Sequence, residues 1–234
     1  MGTKAMVLSS GGVDSTTALG LAVEKYGAEN VISLSARYGQ KHVKELEAAA
    51  AVAAHYGVEH LEMDLTAIFR WSNSTLLQHS SGEIPEESYA EQIAETGGEK
   101  PVSTYVPFRN GLFLSAAAAA ALSRDCSVLY YGAHADDAAG AAYPDCSPAF
   151  HEAMATAVYE GSGRQLTIEA PFINMTKTEV VRTGLAIGVP YELTWSCYEG
   201  GAVPCGKCAT CLDRAKAFRE NGIEDPALQA QKED

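Results

Sequence analysis

Between the apolar run Ala5-Met6-Val7-Leu8 and the helix-forming stretch Thr16-Thr17-Ala18-Leu19-Gly20-Leu21-Ala22-Val23 lies Ser10-Gly11-Gly12-Val13-Asp14-Ser15. Strand, glycine turn and helix, in that order, build an anion cradle. Two adjacent glycines let the backbone approach an oxyanion closely, and a helix start presents unpaired N–H groups at the positive end of its dipole. Ser10, Ser15 and Thr16 add hydroxyl donors, so a phosphate here collects hydrogen bonds without a basic side chain. The stretch has neither the lysine of G-x-x-x-x-G-K-[ST] nor the spacing of G-x-G-x-x-G. Its bland alternative is a Gly-Gly turn with a Ser/Asp cap.

The remainder of the chain continues this unit. Short apolar runs alternate with helical patterns, the signature of βαβ units and a parallel sheet. Helices are expected at Thr16–Tyr26, Lys41–Tyr56, Asn110–Ser123, Pro148–Tyr159 and Lys177–Ile187, with glycines closing the first two and following the last. Strands are expected at 31–35, 59–64, 128–132 and 166–168. Residues 66–106 break the rhythm, and a span so long with little periodicity reads as a lid or a disordered loop. The fold class that follows is α/β: one doubly wound, mostly parallel domain over 1–225, with a metal-binding element at 195–215 and an acidic tail at 226–234.

Composition narrows the functions available. The 234 residues carry 17 basic and 30 acidic side chains, a net charge of −13, which argues against a protein that grips a nucleic-acid backbone. No apolar run approaches the roughly 20 residues of a membrane helix, and no secretory apolar region is evident at the amino terminus. A cytoplasmic protein without nucleic-acid or membrane partners is expected.

Four of the six cysteines fall in the pattern C-x7-C-x2-C-x2-C: Cys197, Cys205, Cys208 and Cys211. In a reducing compartment such clustering indicates metal before disulfides. Four thiolates suit tetrahedral Zn2+ in a closed, structural shell, and an iron–sulfur cluster is the alternative. Cys126 and Cys146 stand apart, and Cys126 reads as a small buried residue.

Ser10–Ser15 resembles the signature of the PP-loop ATP pyrophosphatases, which grip pyrophosphate while a substrate is adenylated. The resemblance narrows further along the chain. Arg37-Tyr38-Gly39-Gln40-Lys41-His42, Val106-Pro107-Phe108-Arg109-Asn110, Tyr143-Pro144-Asp145-Cys146, Thr194-Trp195-Ser196-Cys197-Tyr198 and Cys205-Gly206-Lys207-Cys208 are similar to ordered motifs of the 7-cyano-7-deazaguanine synthases. Those enzymes make the nitrile precursor of queuosine and archaeosine, in a tRNA modification pathway.

The resemblance implies a ligase that joins ammonia to a deazaguanine carboxylate, with ATP, Mg2+ and Zn2+ as cofactors, and a homodimer. It places ATP on Ser9, Ser10, Gly11, Gly12, Val13, Asp14, Ser15, Thr16, Thr17, Ala18 and Leu19, with Asp14 helping to hold Mg2+. Arg109 is the expected clamp for a carboxylate or phosphate, because its fork matches both, although a salt bridge is its bland role. Lys177 is placed either to neutralise the α-phosphate or, as a helix-start lysine, to sit in solvent. Asp14, Arg109 and Lys177 are thus the catalytic candidates. Asn110, Asp137 and Asp145 are candidates for holding the substrate, and either aspartate can accept from the donors on the base or cap a turn. His42 and His134 follow strands and are given no proton-transfer role. The rival readings are an amide-forming relative, a tRNA thiolase, and a non-catalytic zinc-knuckle adaptor.

Overall fold

The computed structural model describes residues 2–95 and 97–230. Five strands, β1 (Ala5–Leu8), β2 (Val31–Arg37), β3 (Glu59–Asp64), β4 (Val128–Tyr130) and β5 (Thr167–Glu169), form one sheet in the order β3-β2-β1-β4-β5. Every pairing between them is parallel. The α-helices described are α1 (Val13–Tyr26), α2 (Lys44–Tyr56), α3 (Thr66–Phe69), α4 (Tyr89–Glu95), α5 (Arg109–Ser123), α6 (Pro148–Gly161), α7 (Lys177–Ala186), α8 (Ala209–Glu220) and α9 (Pro226–Ala230), with short 3-10 turns at Ala28–Asn30, Pro144–Cys146 and Tyr191–Leu193.

The period-2 alternation of the strands sorts these helices onto two faces. Ala5 and Val7 of β1, Val31 of β2 and Val128 and Tyr130 of β4 pack with Ala18, Leu19 and Ala22 of α1, Val52 and Ala53 of α2 and Val180 of α7. Met6, Ile32, Leu34 and Leu129 point the other way, against Leu114, Ala117, Ala118 and Ala121 of α5 and Val158 of α6. A parallel sheet needs both faces covered, and the alanine run of α5 supplies a smooth surface for close approach. Met6, Leu19, Ile32, Leu114 and Leu129 are almost wholly buried, each contributing about 1.5–3 kcal/mol relative to exposure.

Strand order reverses at β1: β2 and β3 lie to one side of it, β4 and β5 to the other. The crevice beyond the carboxyl ends of β1 and β4 is therefore the place where such a sheet receives a ligand.

Two helix starts differ from expectation. α1 begins at Val13 rather than Thr16, because Gly12 is its N-cap and its carbonyl accepts from Thr16 N at 3.0 Å. α2 begins at Lys44 rather than Lys41, since the Lys41 N–H is taken by the Leu76 carbonyl (2.9 Å) and its ammonium by the Gly82 carbonyl (2.9 Å). Within 66–95 and 97–106 the chain packs onto the domain, with Leu76, Leu77, Ile84, Tyr89, Val102 and Val106 buried. The 226–234 segment opens with α9, where Ala227 is buried, and residues 231–234 of the expected tail lie outside the described residues.

Candidate active site

A cavity of about 230 Å³ opens at the switch point. Its floor is the turn between β1 and α1. Ser10 N donates to Ser15 Oγ (3.1 Å), the two serine hydroxyls meet at 3.1 Å, and Gly12 N donates to Ser10 Oγ (3.3 Å). Gly11 has φ +79°, and a Cβ there would lie 2.4 Å from the Glu45 carbonyl and 2.6 Å from Ala49 N. Only glycine fits, so α2 presses directly on the turn. Gly132, just beyond β4, plays the same part on the other side: a Cβ there would stand 3.0 Å from the Asp14 and Ser15 backbone.

Of the eleven residues expected to hold ATP, Ser9, Ser10, Gly12, Val13, Asp14 and Ser15 line this cavity. Gly11, Thr16, Thr17, Ala18 and Leu19 stand behind it. Thr17 Oγ1 is engaged by Val13 O and Tyr191 OH, both at 2.8 Å, while Ala18 and Leu19 lie in the core. The sequence places them in the first turns of α1, but only the outer side of that helix start faces the cavity.

One wall is charged. Lys177 donates from Nζ to Asp14 Oδ2, so it faces the cavity rather than solvent. Its helix is anchored by a Thr176/Glu179 capping box and by Asp136 Oδ2, which accepts from Lys177 N at 2.7 Å. The buried His134 brings Nε2 to 3.7 Å from Asp14 and 3.4 Å from Asp137. Burial pushes the Asp14 carboxyl up, but Lys177 and His134 outweigh it and hold the net value below the ordinary carboxylate range. Asp213 completes this wall, its carboxyl pushed up by burial with Asp137 and Asp136 adding, against the opposing pull of Lys177 and His134.

The other wall is aromatic. Arg109, the first residue of α5, donates from Nη1 to Tyr38 OH (3.2 Å) and stacks over that ring with Cζ 5.3 Å from its centroid. Burial opposes its charge, but Tyr38, Tyr198, Tyr143 and Asp145 favour it more, and the guanidinium stays protonated. Burial pushes Tyr38 up to about 12. It also pushes Glu45, which lines the cavity beside this pair, up to about 7, with Arg109 countering part of the effect. A chain of hydroxyls closes the roof: Thr104 meets Tyr143 (2.6 Å), Tyr143 donates to Tyr89 (3.2 Å), and Tyr89 meets Tyr198 (2.6 Å). α4 thereby becomes part of the site.

The structure separates the candidate substrate ligands. Asn110 and Asp137 line the cavity. Asp145 does not: it is buried, and its Oδ2 accepts from Asn110 N at 2.8 Å, capping the start of α5. Its neighbour Cys146 lines the cavity instead, accepting from Asn110 Nδ2 at 3.2 Å. Cys126 is buried, as expected.

Cys197, Cys205, Cys208 and Cys211 bring their sulfurs within 4.8 Å of one another. Tetrahedral thiolates at a Zn–S distance of ~2.3 Å stand about 3.8 Å apart, so the set fits a four-coordinate metal. Backbone N–H groups of Glu199 and Cys205 point at Cys197 Sγ (3.4 and 3.3 Å), and those of Lys207 and Cys208 at Cys205 Sγ (both 3.4 Å). Such donors stabilise thiolate charge. The knuckle is tied to the cavity through Trp195, whose backbone N–H donates to Gly11 O at 2.9 Å, and through Tyr198.

Glu45, Asp213 and the tyrosine chain were not singled out from sequence. Tyr198 sits inside a quoted motif, Asp213 follows Cys211 by two residues and Glu45 follows His42 by three, but nothing in their spacing separates a cavity residue from a helix surface.

Fold and cavity together define a doubly wound α/β protein with a glycine turn at its switch point and a four-cysteine cluster beside it. A family model described as "Queuosine biosynthesis protein QueC" matches residues 4–222. The chain is 42% identical over 226 residues to the 7-cyano-7-deazaguanine synthase of Archaeoglobus fulgidus, covering 96% of this chain and 90% of that protein. It is 42% identical over 222 residues to the synthase of Porphyromonas gingivalis, covering 94% of each. With Caldicellulosiruptor bescii the figure is 40% over 223 residues, covering 95% and 96%. The chain belongs to the QueC family, an enzyme family of 7-cyano-7-deazaguanine synthases. Among the described residues no helix is long and apolar enough to cross a membrane.

Proposed function

We propose that this enzyme converts 7-carboxy-7-deazaguanine and ammonia to 7-cyano-7-deazaguanine, adenylating first the carboxylate and then the amide, with release of AMP and pyrophosphate. The observation that carries this reading is a single cavity joining the Ser10–Ser15 cradle, the Asp14–Lys177 pair and Arg109. A carboxylate oxygen is a poor leaving group, and its transfer to the α-phosphorus of ATP remedies that. The cradle receives the pyrophosphate on backbone and hydroxyl donors, where charge develops. Lys177 lies beside the cradle to meet the α-phosphate, and Arg109 presents a planar fork for the carboxylate. The tyrosine wall offers apolar faces for a flat heterocycle, with Asn110 and Asp137 supplying polar contacts.

Asp14 Oδ1 is buried without a hydrogen-bond partner among the described residues, and this free oxygen suits a cation. Mg2+ held by Asp14 supplies neutralisation of the phosphate charge. At the four cysteines Zn2+ supplies folding energy, its closed shell leaving no position for substrate. A cytoplasmic homodimer acting on small molecules, without nucleic-acid or membrane partners, completes the reading.

Incubation with ATP, ammonium and 7-carboxy-7-deazaguanine tests it. The expected products are the nitrile, AMP and pyrophosphate. ADP and phosphate, indicating attack at the γ-phosphorus, would overturn it.

A further inference from the structure

We propose that Glu45 is the base that removes the nitrogen-bound proton as the nitrile forms, an inference that rests on the reaction proposed above. That reaction has a requirement its ATP chemistry does not meet. The amide oxygen attacks the α-phosphorus and expels pyrophosphate, giving an O-adenylated amide that carries two N–H bonds. One proton passes to water. The second must leave as the C–O bond breaks: the N–H electron pair becomes the third C–N bond, the C–O pair departs on AMP, and the proton goes to a base. Glu45 accepts it and then releases it to water.

The cavity offers four carboxylates and one histidine. Asp14 is engaged by Lys177, and Asp137 lies against His134. Asp213 feels the same group of charges, namely Lys177, Asp137, Asp136 and His134. These three carboxylates therefore gather on the wall that meets phosphate. Glu45 stands apart from them. Among the described residues its carboxylate makes no hydrogen bond and no ion pair. The charged and titratable groups that face it are Arg109, from α5, and Tyr38, from the loop after β2.

The fold fixes where the Glu45 backbone stands. Glu45 lies in the first turn of α2, and its carbonyl oxygen occupies the space that a Cβ on Gly11 would need. The same contact that excludes a side chain from the cradle fixes the Glu45 backbone against it. A base works best when its pKa lies near the working pH, and burial raises Glu45 to about 7. Beside Arg109, the expected clamp for the substrate's carbonyl-derived oxygen, Glu45 sits where the adjoining nitrogen is presented.

The 7-amide with ATP isolates this step. Two readouts are taken on the full-length enzyme: nitrile formation, and exchange of labelled pyrophosphate into ATP, which reports reversible adenylation. Glu45→Gln should lower nitrile formation by about 100-fold or more, with exchange falling no more than about threefold. Glu45→Asp should recover part of the loss. The wild-type rate should rise with pH through a limb near 7 that Glu45→Gln lacks. Nitrile formation within about threefold of wild type in Glu45→Gln would overturn the assignment. So would exchange and nitrile formation falling together, which would make Glu45 a support for the cradle. A wild-type enzyme that exchanges pyrophosphate but yields no nitrile would overturn the functional reading and this inference with it.

Discussion

The Lys177 ammonium meets the Asp14 carboxylate on the charged wall of the cavity, tying the first turn of α7 to the first turn of α1. The pair holds one positive and one negative group beside the Ser10–Ser15 turn, where the proposed reaction would bring triphosphate charge. Asp14→Asn should leave the fold intact and lower adenylation by about 10²–10³, read as pyrophosphate exchange. The Asp14 carboxyl is held below its ordinary 3.8, so its contribution to stability is present above that value and is lost as pH falls through the lower folded value. Asn should therefore flatten the acid limb of the melting curve. Undiminished exchange in Asp14→Asn would contradict the assignment.

The knuckle should matter to folding and to the cavity together. Cys208→Ser should lower bound zinc from one per chain and reduce thermal stability. Because Trp195 binds Gly11 and Tyr198 binds Tyr89, nitrile formation should fall in the soluble fraction as well. Metal analysis and calorimetry check this. Unchanged melting without metal, or iron with visible charge-transfer absorption, would contradict it.

A buried ion pair anchors α9. Arg214 Nε and Nη2 donate to Asp225 Oδ2 and Oδ1 at 2.6 and 2.8 Å, and the same guanidinium reaches Thr194 Oγ1 (2.8 Å) and Tyr191 O (3.2 Å). Both partners are more than nine-tenths buried. Removing one leaves the other charge stranded, so Arg214→Ala should cost about 3–5 kcal/mol in urea unfolding. A cost under about 1 kcal/mol would place the pair with exposed salt bridges.

Glu45 has the opposite pH signature from Asp14. Its folded value of about 7 lies above its ordinary 4.5. The folded state therefore binds more protons than the unfolded one between those values, and stability falls as pH rises through the window. Glu45→Gln should remove that slope and raise the melting temperature at pH 8 relative to wild type. Parallel melting curves across pH 5 to 8 would contradict a Glu45 raised to about 7 in the folded state.

Much of the fold was legible because strand periodicity and helix punctuation act locally. Ala5-Met6-Val7-Leu8 reads as a strand and Gly11-Gly12 as the turn into a helix, and both are found. The four cysteines declared themselves by spacing. Asp145 shows where local reading ends: an aspartate that can accept from a base or cap a helix is decided by where α5 begins, a tertiary fact. Lys177 shows the converse, since only the packing of α7 beside α1 turns a helix-start lysine into a cavity residue. Residues 66–106 carry little periodicity in sequence, and contacts such as Gln78 N to Gly39 O (2.8 Å) are long-range, so no local pattern points to Tyr89. Glu45 was hidden as one acidic residue in a helical first turn, where such residues are common.

In the proposed reaction one cradle serves two activations, and the ATP consumed per nitrile reports whether it does. The acid oxygen and the amide oxygen are presented in turn to the same α-phosphorus above Ser10–Ser15, provided the base stays anchored between rounds. Two AMP should therefore form per nitrile from 7-carboxy-7-deazaguanine and ammonium, but one per nitrile from the 7-amide, which should need no added ammonium. An inert amide, or amide that accumulates as the final product while ATP remains, would contradict the account.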